Sequence, residues 1–328
     1  MIARTGKEQA VSSMATQTAA RQAAQRRAAA GRGPRAGSHK HWRDRRGIWF
    51  VAPFLLAFLL FMVAPLGYAI YTSLYTSRII GGTTFSGAAN YTATLQSGDF
   101  WSGVIRVIIF GAIQIPVMLA IAFFFATIFD LGVTKFGRTF RTIFFIPFAV
   151  PAVVGAVMWA FLLEPQFGPF THAASAVGIH NVNFFSSSLL LPSIIVIAIW
   201  EWTGYNMVIL YTALRSVPRD VVEAAILDHA SIWKIIWRVK LPMVRPAIVL
   251  LIFLNSIGAL QLFTEPLILT YFDNSAVSVN YTPTLYIYNT AIAGAQYNLA
   301  AAGAVVLGVV IVAISVGSLI FRRRKGQV

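Results

Sequence analysis

Glu201 and Glu265 are the two acids that fall inside long apolar runs of this 328-residue chain. An ionisable group at bilayer depth costs ~2.5–3.5 kcal/mol on insertion scales, so it faces a bundle interior or a water-filled path. Glu201 lies about twelve residues into its run, ~18 Å along a helix and near the bilayer midplane. Tyr205 follows one turn later on the same face, with Asn206 beside it. A second polar stripe runs through Asn255, Gly258, Gln261 and Glu265, and Glu265 falls near the outer end of its run, within reach of water. Carboxylates and amides accept hydrogens from hydroxyl groups, and aromatic faces cover apolar surface between them. The same residues have a packing reading: Glu201 pairs with a group on a partner subunit, and Asn255 bonds between helices.

The elements that must hold these groups are membrane spans. Of the residues, 57% are apolar and only 11% charged, against roughly 25% charged in a soluble domain. Six runs approach or exceed the ~20 residues that cross a bilayer: Ile48–Tyr75, Gly103–Phe129, Thr139–Leu163, Leu189–Leu214, Pro246–Thr270 and Asn298–Phe321. Prolines 53, 65, 116, 147 and 151 lie within them, as membrane helices tolerate. Residues 1–47 form a basic, low-hydropathy tail with eleven Lys or Arg, expected to be disordered, and 322–328 a basic end. The net charge of +15 is concentrated in these tails, in 131–138 and in 215–245. It therefore reads as a topology signal rather than a nucleic-acid face. Loops 76–102, 164–188 and 271–297 carry a single Lys or Arg, Arg78. The positive-inside rule then places both termini in the cytoplasm. No metal-binding spacing, nucleophile–base pair or phosphate-binding loop stands out, so neither a metal, a cofactor nor a catalytic residue is assigned to the chain itself.

The longest cytoplasmic loop, 215–245, reads as two short amphipathic helices. Apolar residues recur at helical spacing from Val221 to Val239, Pro218 suits a start and Pro242 a stop. Such helices also suit a lipid surface.

Within it, Glu223-Ala224-Ala225, His229, Val239 and Leu241-Pro242 resemble the cytoplasmic signature of binding-protein-dependent ABC importer permeases. That signature is Glu-Ala-Ala, three residues, Gly, nine residues, Ile, one residue, Leu-Pro. Asp228-His229-Ala230 resembles the Asp-Gly-Ala of the sugar-transporting branch, with His229 where Gly is usual. The stretches WEWTGYNMVILYTALRSVPRDVVEAA and RTIFFIPFAVPAVVGAVMWAFL, and the pair Asn90-Tyr91, are also similar to sugar permeases, so the likeness extends over about 48–321.

The resemblance implies an all-α polytopic membrane protein of the type I importer fold, with six transmembrane helices and cytoplasmic coupling helices, in a bacterial plasma membrane. It implies a second homologous permease, two ATPase subunits holding ATP and Mg, an extracellular or periplasmic solute-binding protein, and a sugar or oligosaccharide as cargo. Glu223, Ala224, Ala225, Asp228, His229, Ala230, Leu241 and Pro242 would then form the ATPase-coupling surface. The usual Gly implies a turn with positive φ at His229, which histidine adopts more readily than most residues. The competing function is a stand-alone transporter or channel for a small polar solute, which predicts internal repeats with matched broken helices. An intramembrane enzyme is the third reading, and it lacks a catalytic pair.

Overall fold

The computed structural model describes residues 45–78, 81–272 and 278–324. Most of the basic tail and the last four residues lie outside that range, as do the expectations placed on them. The chain divides after Met62 into a leading unit and a main unit.

The leading unit contains helix α1, Arg45–Phe58. A π turn over Leu59–Val63 and α2, Ala64–Ser73, continue the first candidate span, Trp49–Ser73. The π turn sits just ahead of Pro65. Proline offers no N–H and its ring crowds the carbonyl four residues back, and a wider turn accommodates both.

In the main unit, α3 (Ala89–Gln96) precedes α4, which runs unbroken from Gly98 to Asp130. Then come α5 (Gly137–Ala149), α6 (Ala152–Leu163), α7 (Pro169–Ala176) and α8 (Leu190–Arg215). The segment after α8 contains α9 (Arg219–Leu227) and α10 (Ile232–Ile235), followed by a π turn over Ile236–Lys240. The chain closes with α11 (Leu241–Leu260), α12 (Thr264–Phe272), α13 (Pro283–Ile292) and α14 (Tyr297–Arg324). Among the described residues, five helical stretches are long and apolar enough to cross a membrane, six if α5 and α6 count as one bent span.

That bend corrects the third expected span. Helices α5 and α6 meet at 94°. Pro151 drives the residue before it out of the helical region, and Val150 has ψ 132°. Pro147, inside α5, is tolerated. The expected stop at Pro242 is also overturned: α10 passes through its π turn and Pro242 into α11. The π turn again sits immediately before a proline pair, Pro242 and Pro246. A third departure is a hairpin, β1 (Tyr75–Arg78) antiparallel to β2 (Gly82–Phe85), turning through left-handed Gly81 and Gly82. Asn90 fastens it by donating to the carbonyls of Ser73 and Tyr75 at 2.8 and 2.7 Å.

The core is built on α4 against α8, with α5 on α8 and α11 across α4 and α8. Met118, Leu190, Ile194, Ile197, Met207 and Leu210 are fully buried there. Helix α12 packs on α6, and α14 lies against α2, α3 and α13. The outer faces of the spans stay apolar and exposed, as at Ile105, Phe124, Val196 and Val309, which suits lipid as solvent.

Candidate functional site

Five of the six candidate pathway residues line one cavity of about 420 Å³: Glu201, Tyr205, Asn255, Gln261 and Glu265. This lies within the usual range for small-molecule sites. Two helix breaks create it. Ala152, at the start of α6, is on the wall because α5 and α6 diverge there. The fifth span is interrupted at 261–263, and the restarted α12 carries Glu265 in its first turn. An acid there meets the free N–H groups and the positive end of the helix dipole. Glu265 is 8% exposed, so its side chain is buried rather than open to water. Its carboxyl group lines the same cavity as that of Glu201, itself 9% exposed.

Aromatic rings flank the acids. Tyr205 stacks on Phe148 with centroids 4.6 Å apart, and Trp202 meets Phe148 edge-on at 5.3 Å. Gln114 of α4 and Trp202 complete the polar and aromatic wall. Neither was among the expected residues, although an amide within the apolar run of α4 is a readable signal.

Asn206 takes another place. It is fully buried and is not among the cavity-lining residues. Its side chain donates to the Trp202 carbonyl at 2.9 Å and accepts from Asn255 Nδ2 at 2.9 Å. Asn255 thus both lines the cavity and bonds α11 to α8. Interhelical amide bonds of this kind contribute ~0.6 kcal/mol on average in a membrane.

The second candidate site is the segment after α8. Pro218 caps α9. The helix ends in a Schellman motif: the N–H of Ala230 donates to Ala225 at 3.0 Å and that of His229 to Ile226 at 2.9 Å. His229 has φ 53°, the left-handed conformation implied by the resemblance to a Gly position. Around this turn Glu223, Ala224, Asp228 and His229 are exposed, Ala225 and Ala230 half-buried. Val221, Ile226, Leu227, Ile232, Trp233 and Trp237 present an exposed apolar surface. Leu241 is half-buried and Pro242 exposed.

The opposite face is anchored. Ile236, Lys240 and Val244, one helical turn apart, are all buried. Lys240 forms an ion pair with Asp130 at the end of α4. Arg215, Arg219 and Glu223 share with that pair a polar cavity of about 330 Å³. Asp130 is absent from the sequence-based candidates because it falls just beyond the apolar run, where an acid reads as an ordinary loop charge.

Residues 86–326 match the family described as "binding-protein-dependent transport system inner membrane component". The lactose transport system permease protein LacF of Rhizobium radiobacter is 31% identical over 258 residues, covering 77% of this chain and 85% of LacF. The sn-glycerol-3-phosphate permease UgpA of Yersinia pseudotuberculosis is 28% identical, covering 84% of this chain and 93% of its own. The trehalose/maltose permease MalF of Thermococcus litoralis is 27% identical, covering 70% and 79%. Among solved structures, a bacterial ABC transporter importing the acidic polysaccharide alginate superposes with a TM-score of 0.75 at 22% identity, over 86% of this chain and 98% of that one. With its spans, its broken helices and its exposed Glu-Ala-Ala segment, the chain belongs to the family of binding-protein-dependent transport system inner membrane components.

Proposed function

We propose that the chain is one transmembrane half of an ATP-driven sugar importer, working with a second permease, two ATPase subunits and an extracellular solute-binding protein. The observation that carries this reading is the exposed, apolar-faced α9–turn–α10 segment, with Glu223 beside a rigid Schellman turn. An exposed apolar patch rimmed by charge is a docking surface, and the family supplies the class of partner. ATP and Mg belong to that partner. The relatives named for lactose and for trehalose/maltose support a carbohydrate cargo. Purified in mild detergent from its native membrane, the chain should carry a second permease and an ATPase with it. Purification alone, with solute transport driven by an ion gradient, would favour the stand-alone transporter.

The cavity narrows the cargo. Its wall presents two carboxyl groups and, among its described lining residues, no Lys, Arg or His. Such a wall accepts hydrogens from hydroxyl or amino groups and repels anions. The substrate is therefore an uncharged or amino-bearing sugar, unlike the anionic cargoes named for the glycerol-phosphate and alginate systems.

Both termini lie in the cytoplasm in this reading, supported by the basic segments 131–138 and 215–245 against outer loops whose single Lys or Arg is Arg78. The chain contains no cysteine, so single cysteines report cleanly. Ser187→Cys should react with a membrane-impermeant thiol reagent on intact cells and Ser231→Cys should not. The reverse pattern would invert the topology.

A further inference from the structure

We propose that the Asp130–Lys240 ion pair is the strut through which the cytoplasmic coupling segment moves the transmembrane bundle. The inference rests on the docking role proposed above and adds the route by which a push at that surface reaches the cavity.

The covalent route from α10 into the membrane is soft. Between Ile235 and Pro246 the helix contains a π turn and two prolines. The prolines have no N–H to donate, and the π turn breaks the regular i→i−4 ladder. A force applied to α10 would be absorbed partly as bending at this stretch. The ion pair leaves this stretch ahead of both prolines. Lys240, the last residue of the π turn, reaches sideways to Asp130, the last residue of α4.

Helix α4 is the longest in the main unit and packs extensively on α8. It also contributes Phe110 and Gln114 to the cavity that contains Glu201 and Glu265. A displacement of Asp130 along the α4 axis is thus delivered to the cavity wall by a helix that contains one proline, Pro116, but no π turn and no break.

The pair is built for this position rather than for stability. The Lys240 and Asp130 side chains are 10% and 5% exposed, and theirs is the only ion pair among the described residues. Buried ion pairs contribute little net stability compared with apolar replacements, because desolvation offsets their attraction. Their best-attested use is to fix register. Arg215, Arg219 and Glu223 are the other charged groups lining the adjacent cavity, so the docking residue Glu223 and the strut share one polar space.

The test uses the purified complex with its ATPase, carrying Leu254→Cys on the cavity wall. Labelling by N-ethylmaleimide is read as a mass shift of this chain, with and without ATP. In the parent complex, ATP should change the labelling rate by about fivefold or more. Asp130→Asn combined with Lys240→Gln leaves no unpaired buried charge, so that complex should assemble and hydrolyse ATP. Its ATP-dependent change should fall below about twofold. The exchanged pair, Asp130→Lys with Lys240→Asp, should recover part of the response. A doubly neutral complex with the full ATP-dependent change overturns the strut. Failure of both paired variants to assemble also overturns it, since the pair is then a folding anchor. If the parent complex contains no ATPase, the docking reading itself fails, a separate outcome.

Discussion

Gly204→Ala should deplete the folded protein more severely than the same change at any other glycine among the described residues. Gly204 lies on α8 where α5 crosses it. A Cβ built there would stand 1.8 Å from the Phe144 carbonyl oxygen, 2.6 Å from its carbon and 3.0 Å from Phe145 Cα. These are backbone atoms, so no rotamer change relieves the overlap. The α5 backbone must withdraw from α8 by more than an ångström. Overpacking in a well-packed core costs typically ~1–3 kcal/mol, and a backbone collision belongs at or above the top of that range. The readout is the yield of monodisperse protein in detergent and its melting temperature. Normal yield with an unchanged melt would show that α5 and α8 do not approach as closely as this.

Glu201→Gln is the other large effect, and it falls on transport instead of folding. Glutamine keeps the shape and the capacity to accept a hydrogen bond but removes the charge. Hydrogen bonds to charged groups are worth ~1.5–3 kcal/mol, so uptake at sugar concentrations below saturation should fall about tenfold or more. Assembly with the other subunits should persist. Unchanged uptake would remove Glu201 from the substrate path. Loss of assembly would make it a packing residue that meets the partner permease. Glu265→Gln should behave similarly, because both carboxyl groups line one cavity.

The pattern of what was legible in the sequence follows from how far each inference had to reach. Span number and loop charge depend on local hydropathy, and the helices appear where the apolar runs are. The Glu201–Tyr205 face was legible because α8 is unbroken, so a four-residue spacing fixes a shared side. His229 was legible through the resemblance to a Gly position, and its φ of 53° agrees. The burial of Glu265 was not legible. Helical periodicity predicts a face only while the helix continues, and the break at 261–263 re-aims everything beyond it. The 94° bend at Val150–Pro151 was foreseeable in kind from Pro151, but Pro116 and Pro147 sit within helices that continue. Whether a proline breaks or is absorbed is decided by neighbouring helices. Asn206 and the Asp130–Lys240 pair depend on which helix packs against which, and spacing along one segment does not contain that information.

The most direct test of the docking claim is the affinity of the ATPase subunit for the detergent-solubilised permease, compared among the parent, Glu223→Ala and His229→Gly. Glu223 is exposed on α9, so its removal should leave insertion and folding intact. Loss of a charge-assisted contact worth ~1.5–3 kcal/mol should weaken binding about tenfold or more. His229→Gly relieves a left-handed residue, whose strain in a side-chain-bearing residue is ~1–2 kcal/mol, and should bind at least as well as the parent. An affinity unchanged by Glu223→Ala would contradict the account and leave the α9–α10 segment as a lipid-surface element.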